Sequence, residues 1–564
     1  MTTETIETGA PAPAKPAPRS RFAKLKLTDD GRPATLAEVG DERVNFSPNE
    51  RIKVERSPFT VWDDIVNIYS KQGFDSIPAD DFERMKWYGI YQQRPKNGHL
   101  MMRFKVPGGA LNTAQVRLIA GIVKDYGHGF CDITTRQDIQ VHWLTIEQMP
   151  DIKDRLATVG MTTRGACGDV ARNVVSSPIA GIDPEELMNP LPLVNKVTEH
   201  FVSTDEFADM PRKHKMAIYG NRSGGQVEIH EIGCYAVKRK DDGSIGFRVL
   251  VGGGLSTEPF FAQDLNAFVP EEELLDVLVA ISTIYRDHGY RKSRKHARFK
   301  YLVADWGAAK VRAMVEEFLG RKLRDAEPLE DDPFEPCYGD KLGIHPQKQE
   351  GYSFIGVPVP TGRITCEQMV EAANLADEFG SGEVRFTVMQ NFLLPNIPNE
   401  HTETVKARLE AIGLPIRRTA FQRGVIACTG IQFCNLAVTE TKERAKWIVD
   451  ELDKILTWEE SEFFRINVNG CPNSCGQHWL ADVGLQGCTK KIDGELVEHF
   501  DFFVGGGVGT GASMTRRVKR VQAVDVPATV KTIIGAFREQ RQGNETFGEF
   551  CNRHSVEELQ AMLP

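Results

Sequence analysis

A mixed α/β (α+β) fold assembled from two copies of one design is what this sequence predicts. Three observations predict it: a repeat at constant offset, strand and helix patterns that alternate within each copy, and four paired cysteines confined to the second copy. The stretch beginning FKVPGGALNTAQ and ending at Gly160 runs beside GVPVPTGRITCEQ, which ends at Gly413. Pro107 and Pro360, Gln137 and Gln390, and Gly160 and Gly413 are all 253 positions apart, so the stretch aligns without a gap. The offset returns where Gly252, Gly253 and Gly254 match Gly505, Gly506 and Gly507. Two tandem units of roughly 250 residues therefore make up the chain.

Taken in order, the N-terminal MTTETIETGAPAPAKPAP reads as a disordered Pro/Ala tail, residues 1–45. LMMRFKVPGG is a strand, LNTAQVRLIAGIVKDYG an amphipathic helix and DITTRQDIQVHW a strand. These belong to a first half-domain, 46–160, which should pack with its repeat at 346–415 as one domain. Two larger modules remain, at 161–345 and 416–564, giving three parts with pseudo-twofold symmetry.

Composition narrows the function. With 564 residues, 41% of them hydrophobic, the chain can bury full cores. A formal charge of −9 argues against general nucleic-acid binding. No apolar run of about eighteen residues appears and the N-terminus lacks the apolar core of a signal peptide, so no membrane segment is expected. Eleven cysteines, only four in tight pairs, point to a reducing compartment, with the cytoplasm as the default.

Those four carry the chemistry. Cys428 and Cys434 in ACTGIQFCN have five residues between them, and Cys471 and Cys475 in NGCPNSCGQ have three, which is not the spacing of a zinc ribbon. Four thiolates in two turn-rich loops suit an iron–sulfur cube, whose sulfurs such loops can face with backbone N–H groups. Buried structural cysteines, or a zinc site holding a binding module together, are the alternatives. The matching region of the first copy has basic residues instead, Arg172 in VARNVV and Lys213 and Lys215 in PRKHK. One half is suited to a metal cluster and the other to an anion, with a site at their junction.

On these residues, and above all on NGCPNSCGQHWLADVG, the chain resembles the sirohaem-containing nitrite and sulfite reductases over about residues 50–560. The resemblance implies a three-domain sirohaem reductase fold in which 46–160 and 346–415 are ferredoxin-like half-domains. Cys428, Cys434, Cys471 and Cys475 would hold a 4Fe-4S cluster, with Cys475 also bridging to the sirohaem iron. Arg103, Arg172, Lys213 and Lys215 look like the substrate-binding cations. Arg136, Gln137, Gln140, His142, Arg298 and Lys300 look like part of the cradle for sirohaem's carboxylates. Gln137 and Gln140 lie on opposite sides of an ideal strand, so joint contact needs a bulge or a strand end, and a structural role is the better reading for His142. The triplet Gly252–Gly254 reads as a close-packed turn beside the haem, since it lacks a Walker lysine.

The chain has no dinucleotide fingerprint, so the resemblance implies reduced ferredoxin as donor, and a monomeric enzyme is the expectation. Its docking patch would be the basic run Gly289–Lys300, where some residues could face sirohaem instead, or the weaker candidate Thr515–Arg520. For substrate, Lys215 stands where plant nitrite reductases have Asn, and Leu436 where they have Gln. Tyr91 and Cys167 match a pair beside the haem of actinobacterial sulfite reductases, either covalently linked or simply neighbours. These favour six-electron reduction of sulfite to sulfide, with activity on nitrite. Gln477, after the last cysteine, favours the alternative, reduction of nitrite to ammonia in nitrate assimilation. An iron–sulfur electron carrier is a remote third reading, because it needs neither the length nor the cations.

Overall fold

A computed structural model describes residues 40–222, 225–330, 340–457, 464–509 and 512–564. The expected tail lies outside these residues up to position 39, but its last part is ordered. Gly40–Asn45 forms a 3-10 helix, and Arg43 lies 2.7 Å from Asp209.

The first half-domain contains β1 (Ile90–Gln92), β2 (Leu100–Phe104), β3 (Ala110–Asn112), β4 (Phe130–Ile133) and β5 (Ile139–Leu144). The helix Thr113–Tyr126 between β3 and β4 starts with a capping box formed by Asn112 and Gln115, and it buries Val116, Ile119, Ala120 and Val123 along one face. The module that follows has β6 (Ala171–Val175), β7 (His214–Tyr219), β8 (Ile232–Lys238), β9 (Ile245–Val251), β10 (Gln263–Val269) and β11 (Arg324–Asp325). In the second copy come β12 (Gly343–Pro346), β13 (Tyr352–Val357), β14 (Arg363–Thr365), β15 (Glu383–Phe386) and β16 (Phe392–Pro398). The last module has β17 (Val425–Ala427), β18 (Ile466–Asn469), β19 (Val483–Ile492), β20 (Glu495–Val504) and β21 (Arg516–Gln522).

The half-domains exchange a strand. One sheet has the order β1-β2-β5-β4-β14 and the other β12-β13-β16-β15-β3, so each copy lends its short third strand to the other. In register, Ile364 faces Cys131 and Leu111 faces Val384. The crossing turns need positive φ: Gly108 is at 59° and Gly109 at 75°, and their counterparts Thr361 and Gly362 at 53° and 76°. A Cβ on Gly109 would collide with the Phe386 carbonyl, which only glycine avoids. The two halves share one apolar core, in which Ile119, Ile122, Ala372 and Leu375 meet from the paired helices.

The modules are also copies. In the first, β6, β7 and β8 run parallel and β9 to β11 add antiparallel; in the second, β17, β18 and β19 are parallel and β20 and β21 antiparallel. Among the described residues no helix is long and apolar enough to cross a membrane.

Candidate active site

Parallel neighbours send their following loops to the same sheet edge, which is why two cysteine pairs distant in sequence meet. Cys428 directly follows β17, and Cys471 lies just after β18. Backbone N–H groups surround the sulfurs: Gly470 donates to Cys428 Sγ at 3.2 Å, Leu436 and Ala437 face Cys434, and Asn473 faces Cys471. Burial, then the neighbouring Cys475, pushes the Cys428 thiol up to about 12 and contributes to holding Cys471 up at about 11. Thiols so placed ionise only against a strong local positive charge, which is what iron supplies. Cys475 itself is exposed. Among the described residues no three His, Cys, Asp or Glu side chains close on a single metal ion.

The cations come from three elements. Arg103 on β2 sits across from Gln140 on β5, and its Nη2 donates to Gln140 Oε1 at 2.5 Å. Arg172 on β6 is fixed by donation to Gly168 O from Nη2 at 2.8 Å and to Ala166 O from Nη1 at 3.3 Å. Lys213 immediately precedes β7 and Lys215 lies within it. Neither ammonium has a hydrogen-bond or ion-pair partner among the described residues. Burial, then Arg298 and Arg212, holds Lys213 down at about 7, while the charge of Cys475 opposes them. Lys215 is likewise pushed well below its ordinary value by burial, then by Lys213 and Arg136. The cation set and the exposed Cys475 thus occupy one electrostatic neighbourhood.

The expected cradle divides. Arg136 donates to the carbonyls of Asn173 and Met216 and keeps Nε buried without a partner. Gln140 reaches Thr429 Oγ1, next to Cys428, at 3.3 Å. Gln137 does not belong: it is fully buried, with its Nε2 on Phe386 O at 2.9 Å and Gly108 O at 3.1 Å and its Oε1 receiving Ser176 N–H at 3.0 Å. Gln390 repeats this on Ile133 O and Ala427 N–H, each at 3.0 Å, so the pair ties the two copies together. His142 also falls outside the cradle, stacked on Phe433 at 3.9 Å and 3.4 Å from Asp132.

Arg298 and Lys300 hold a loop. Both donate to Leu255 O, at 2.9 and 3.0 Å, and Lys300 also donates to Glu258 O. Gly254 lies directly against the Arg298 guanidinium and Gly253 against the Glu228 and His230 carbonyls, so the triplet is a close-packed turn. Lys300 is therefore engaged by backbone and not presented to a ligand.

Sequence reasoning missed Asp138 and Glu231. Asp138, two residues from both Arg136 and Gln140, is buried and held up at about 6 by desolvation against the pull of Arg103 and Arg136. Its signal was available in strand periodicity, which puts 138 with 140 and not with 137. Glu231 is fully buried and accepts Arg298 Nε at 2.7 Å and Nη2 at 2.5 Å. Burial would raise this carboxyl, but Arg298 and Lys215 outweigh it and hold it at about 2.

The expected docking patches are only partly neutralised by the protein's own carboxylates. In the first run, Arg291 is paired with Glu50 and Asp209, Arg294 with Asp169 and Arg298 with Glu231, leaving Lys292 and Lys295 exposed. In the second, Arg517 and Arg520 both bind Asp501, at 2.7 and 2.8 Å. Tyr91 lies within electrostatic reach of the Cys167 thiol, beside Arg172 and Arg103. Leu436 is 65% exposed on the cluster loop, and the Gln477 side-chain oxygen is buried without a partner.

Several buried polar atoms lack partners at these edges: Arg103 Nε, Arg136 Nε, Asn173 Oδ1, Asn469 Nδ2, Ser474 Oγ and Gln477 Oε1. Crowded cations that depress their own lysines, together with unsatisfied donors, fit a macrocycle bearing many carboxylates. The thiol-and-amide nest beside them fits an iron–sulfur cluster.

Comparison with known proteins agrees. Residues 167–323 and 419–563 match the nitrite and sulphite reductase 4Fe-4S domain, and 91–159 and 345–412 the nitrite/sulfite reductase ferredoxin-like half domain. Sulfite reductase [ferredoxin] 2 of Mycolicibacterium paratuberculosis is 34% identical over 94% of this chain and 99% of its own length. An assimilatory ferredoxin-dependent nitrite reductase of Haloferax mediterranei is 36% identical over 86% of this chain and 88% of its own. The structure of the Mycobacterium tuberculosis NirA protein superposes with a TM-score of 0.87 at 34% identity, covering 91% of this chain and 97% of that one. A duplicated scaffold, a four-thiol nest and a facing set of cations, matched over nearly the whole length, make this chain a member of the nitrite and sulphite reductase family.

Proposed function

We propose that this chain is a ferredoxin-dependent oxidoreductase whose main substrate is sulfite, reduced by six electrons to sulfide, with nitrite as a second substrate. The observation that carries the choice is Lys215, a half-buried lysine with no ion-pair partner at its Nζ, next to the equally unpartnered Lys213; a bound oxyanion would draw both into the ammonium form. A dianion answers two such charges better than a monoanion does. Gln477 favours the second reading, in which nitrite is the physiological substrate.

Cys428, Cys434, Cys471 and Cys475 would hold the 4Fe-4S cluster, and Arg103, Arg136, Gln140 and Asn173 would face sirohaem. When bound, the coupled pair would supply electrons one at a time to the oxyanion. The protein does the rest. Arg172, fixed by two carbonyls, and Arg103, fixed by Gln140, offer permanent charge at set positions. Lys213, at about 7, can hold a proton at Nζ or release it near neutral pH, as a reduction that consumes protons requires. Partial burial of the cations limits their screening by water.

In this reading the half-domains 46–160 and 346–415 form the scaffold, 161–345 supplies the cations and 416–564 the cluster. The ten cysteines among the described residues are all free thiols, which supports a cytoplasmic location. Steady-state turnover of the cofactor-loaded protein with reduced ferredoxin, with sulfite and nitrite offered in parallel, tests the assignment. A higher kcat/KM for sulfite is expected, and a clear nitrite preference would overturn it.

A further inference from the structure

The helix Lys442–Ile455 begins with a residue that should not be there. Lys442 is 1% exposed and occupies the first helical position, where the macrodipole is positive and disfavours a cation. Burial adds a second penalty. A local rule broken twice over calls for a compensating gain, and functional sites are where such gains occur.

The surroundings supply one. Thr441, which precedes the helix, donates through Oγ1 to Cys428 O at 2.6 Å, and that oxygen lies 4.0 Å from Cys428 Sγ. The helix N-terminus therefore abuts the first cysteine. Burial pushes the Lys442 ammonium below its ordinary value, against the pull of Asp132 and then of Cys428, so Lys442 and Cys428 lie within electrostatic reach. The Lys442 ammonium donates to Thr361 O and is 3.6 Å from Asp132 Oδ1. Asp132 is itself buried and shared with Arg363 Nε at 3.0 Å and His142 Nε2 at 3.4 Å. Although burial pushes the Asp132 carboxyl up, Lys442, then His142 and Arg363, keep it well below its ordinary range. With one carboxylate between the Lys442 ammonium and the Arg363 guanidinium, the group carries net positive charge beside the first cysteine loop while Lys442 is protonated.

We propose that Lys442 is a potential-setting charge for the iron–sulfur cluster, with Asp132 as its opposing partner. This rests on the reading that the four cysteines hold that cluster. Reduction of the cluster adds one electron, taken from ferredoxin, and makes or breaks no bond. The added negative charge is stabilised by a fixed cation nearby and destabilised by a fixed anion, so the two residues move the midpoint potential in opposite directions.

The test is a redox titration of the cofactor-loaded protein, following the reduced cluster by electron paramagnetic resonance. Lys442→Met should shift the midpoint to more negative values, Lys442→Arg should leave it near wild type, and Asp132→Asn should shift it to more positive values. Midpoints unchanged in both charge-removing variants, or displaced in the same direction, would overturn the proposal. If Lys442→Met does not take up the cluster, the sign of the Asp132→Asn shift decides. Wild-type protein with iron but no cubane signal would instead overturn the underlying reading.

Discussion

Replacing Lys215 by Asn removes one amine from a pocket in which no protein carboxylate forms an ion pair with it. The repulsion from Lys213, Arg136 and Arg298 outweighs the attraction of Glu231 in the unliganded pocket, so the substitution should not lower the thermal midpoint. The loss should appear only when an oxyanion binds. A charge-assisted hydrogen bond is worth about 1.5–3 kcal/mol, or roughly a 10- to 150-fold fall in kcat/KM for sulfite. The Coulombic part scales with substrate charge, so nitrite, with one negative charge, should lose about half as much free energy, a factor of roughly 3 to 10. The assay is ferredoxin-supported turnover of both anions by wild type and Lys215→Asn, at matched sirohaem content judged from the Soret band. Equal losses on the two substrates would refute the idea that Lys215 discriminates by charge, and a lowered thermal midpoint would show that the lysine is needed for folding.

Gln390→Leu should cost about 2–6 kcal/mol, because the buried Ile133 carbonyl and Ala427 N–H lose their partner and each unsatisfied group costs about 1–3 kcal/mol; thermal unfolding measures it, and a loss under about 1 kcal/mol would contradict the tie. Glu231→Gln should destabilise by about 3–5 kcal/mol at pH 7 by leaving Arg298 buried and unpaired. Since the Glu231 carboxyl is held at about 2 in the fold and an unfolded glutamate titrates near ~4.3, its contribution is complete above that range and fades as pH falls from about 4.5 to 2. Unfolding curves of wild type and variant should converge over that window, and a constant gap would count against the assignment. Peptide mapping should find Tyr91 and Cys167 either joined with loss of two hydrogens or free; Cys167→Ser should abolish any joined species, and its persistence would mean a different partner.

Much of the fold and of the site was legible because it is carried by local pattern. Capping boxes, turn glycines and alternating apolar residues mark the elements, and the constant offset marks the duplication. The cysteine loops were legible because spacing and turn composition are both local. What was not legible depends on partners distant in sequence. Gln137 reads like Gln140 in the string, yet it faces Phe386 of the other copy, and only the exchanged sheets reveal that. The basic run from Gly289 looks like an unpaired docking patch until Glu50, Asp169 and Asp209 arrive from elsewhere to pair with part of it. Lys300 reads as a ligand for a carboxylate because a sequence does not show that two loop carbonyls already hold it.

The exchanged third strands also govern how the molecule comes into being. The first sheet stays without its edge strand until residues 363–365 have been synthesised, and until then the β4 edge is open. An unpaired edge is a template for the wrong partner, and closing it across so long a stretch of chain is slow. The nascent first copy must wait for its twin, and a second nascent chain nearby could donate the same strand. Splitting the gene between the copies should therefore yield two fragments that fold only when expressed together.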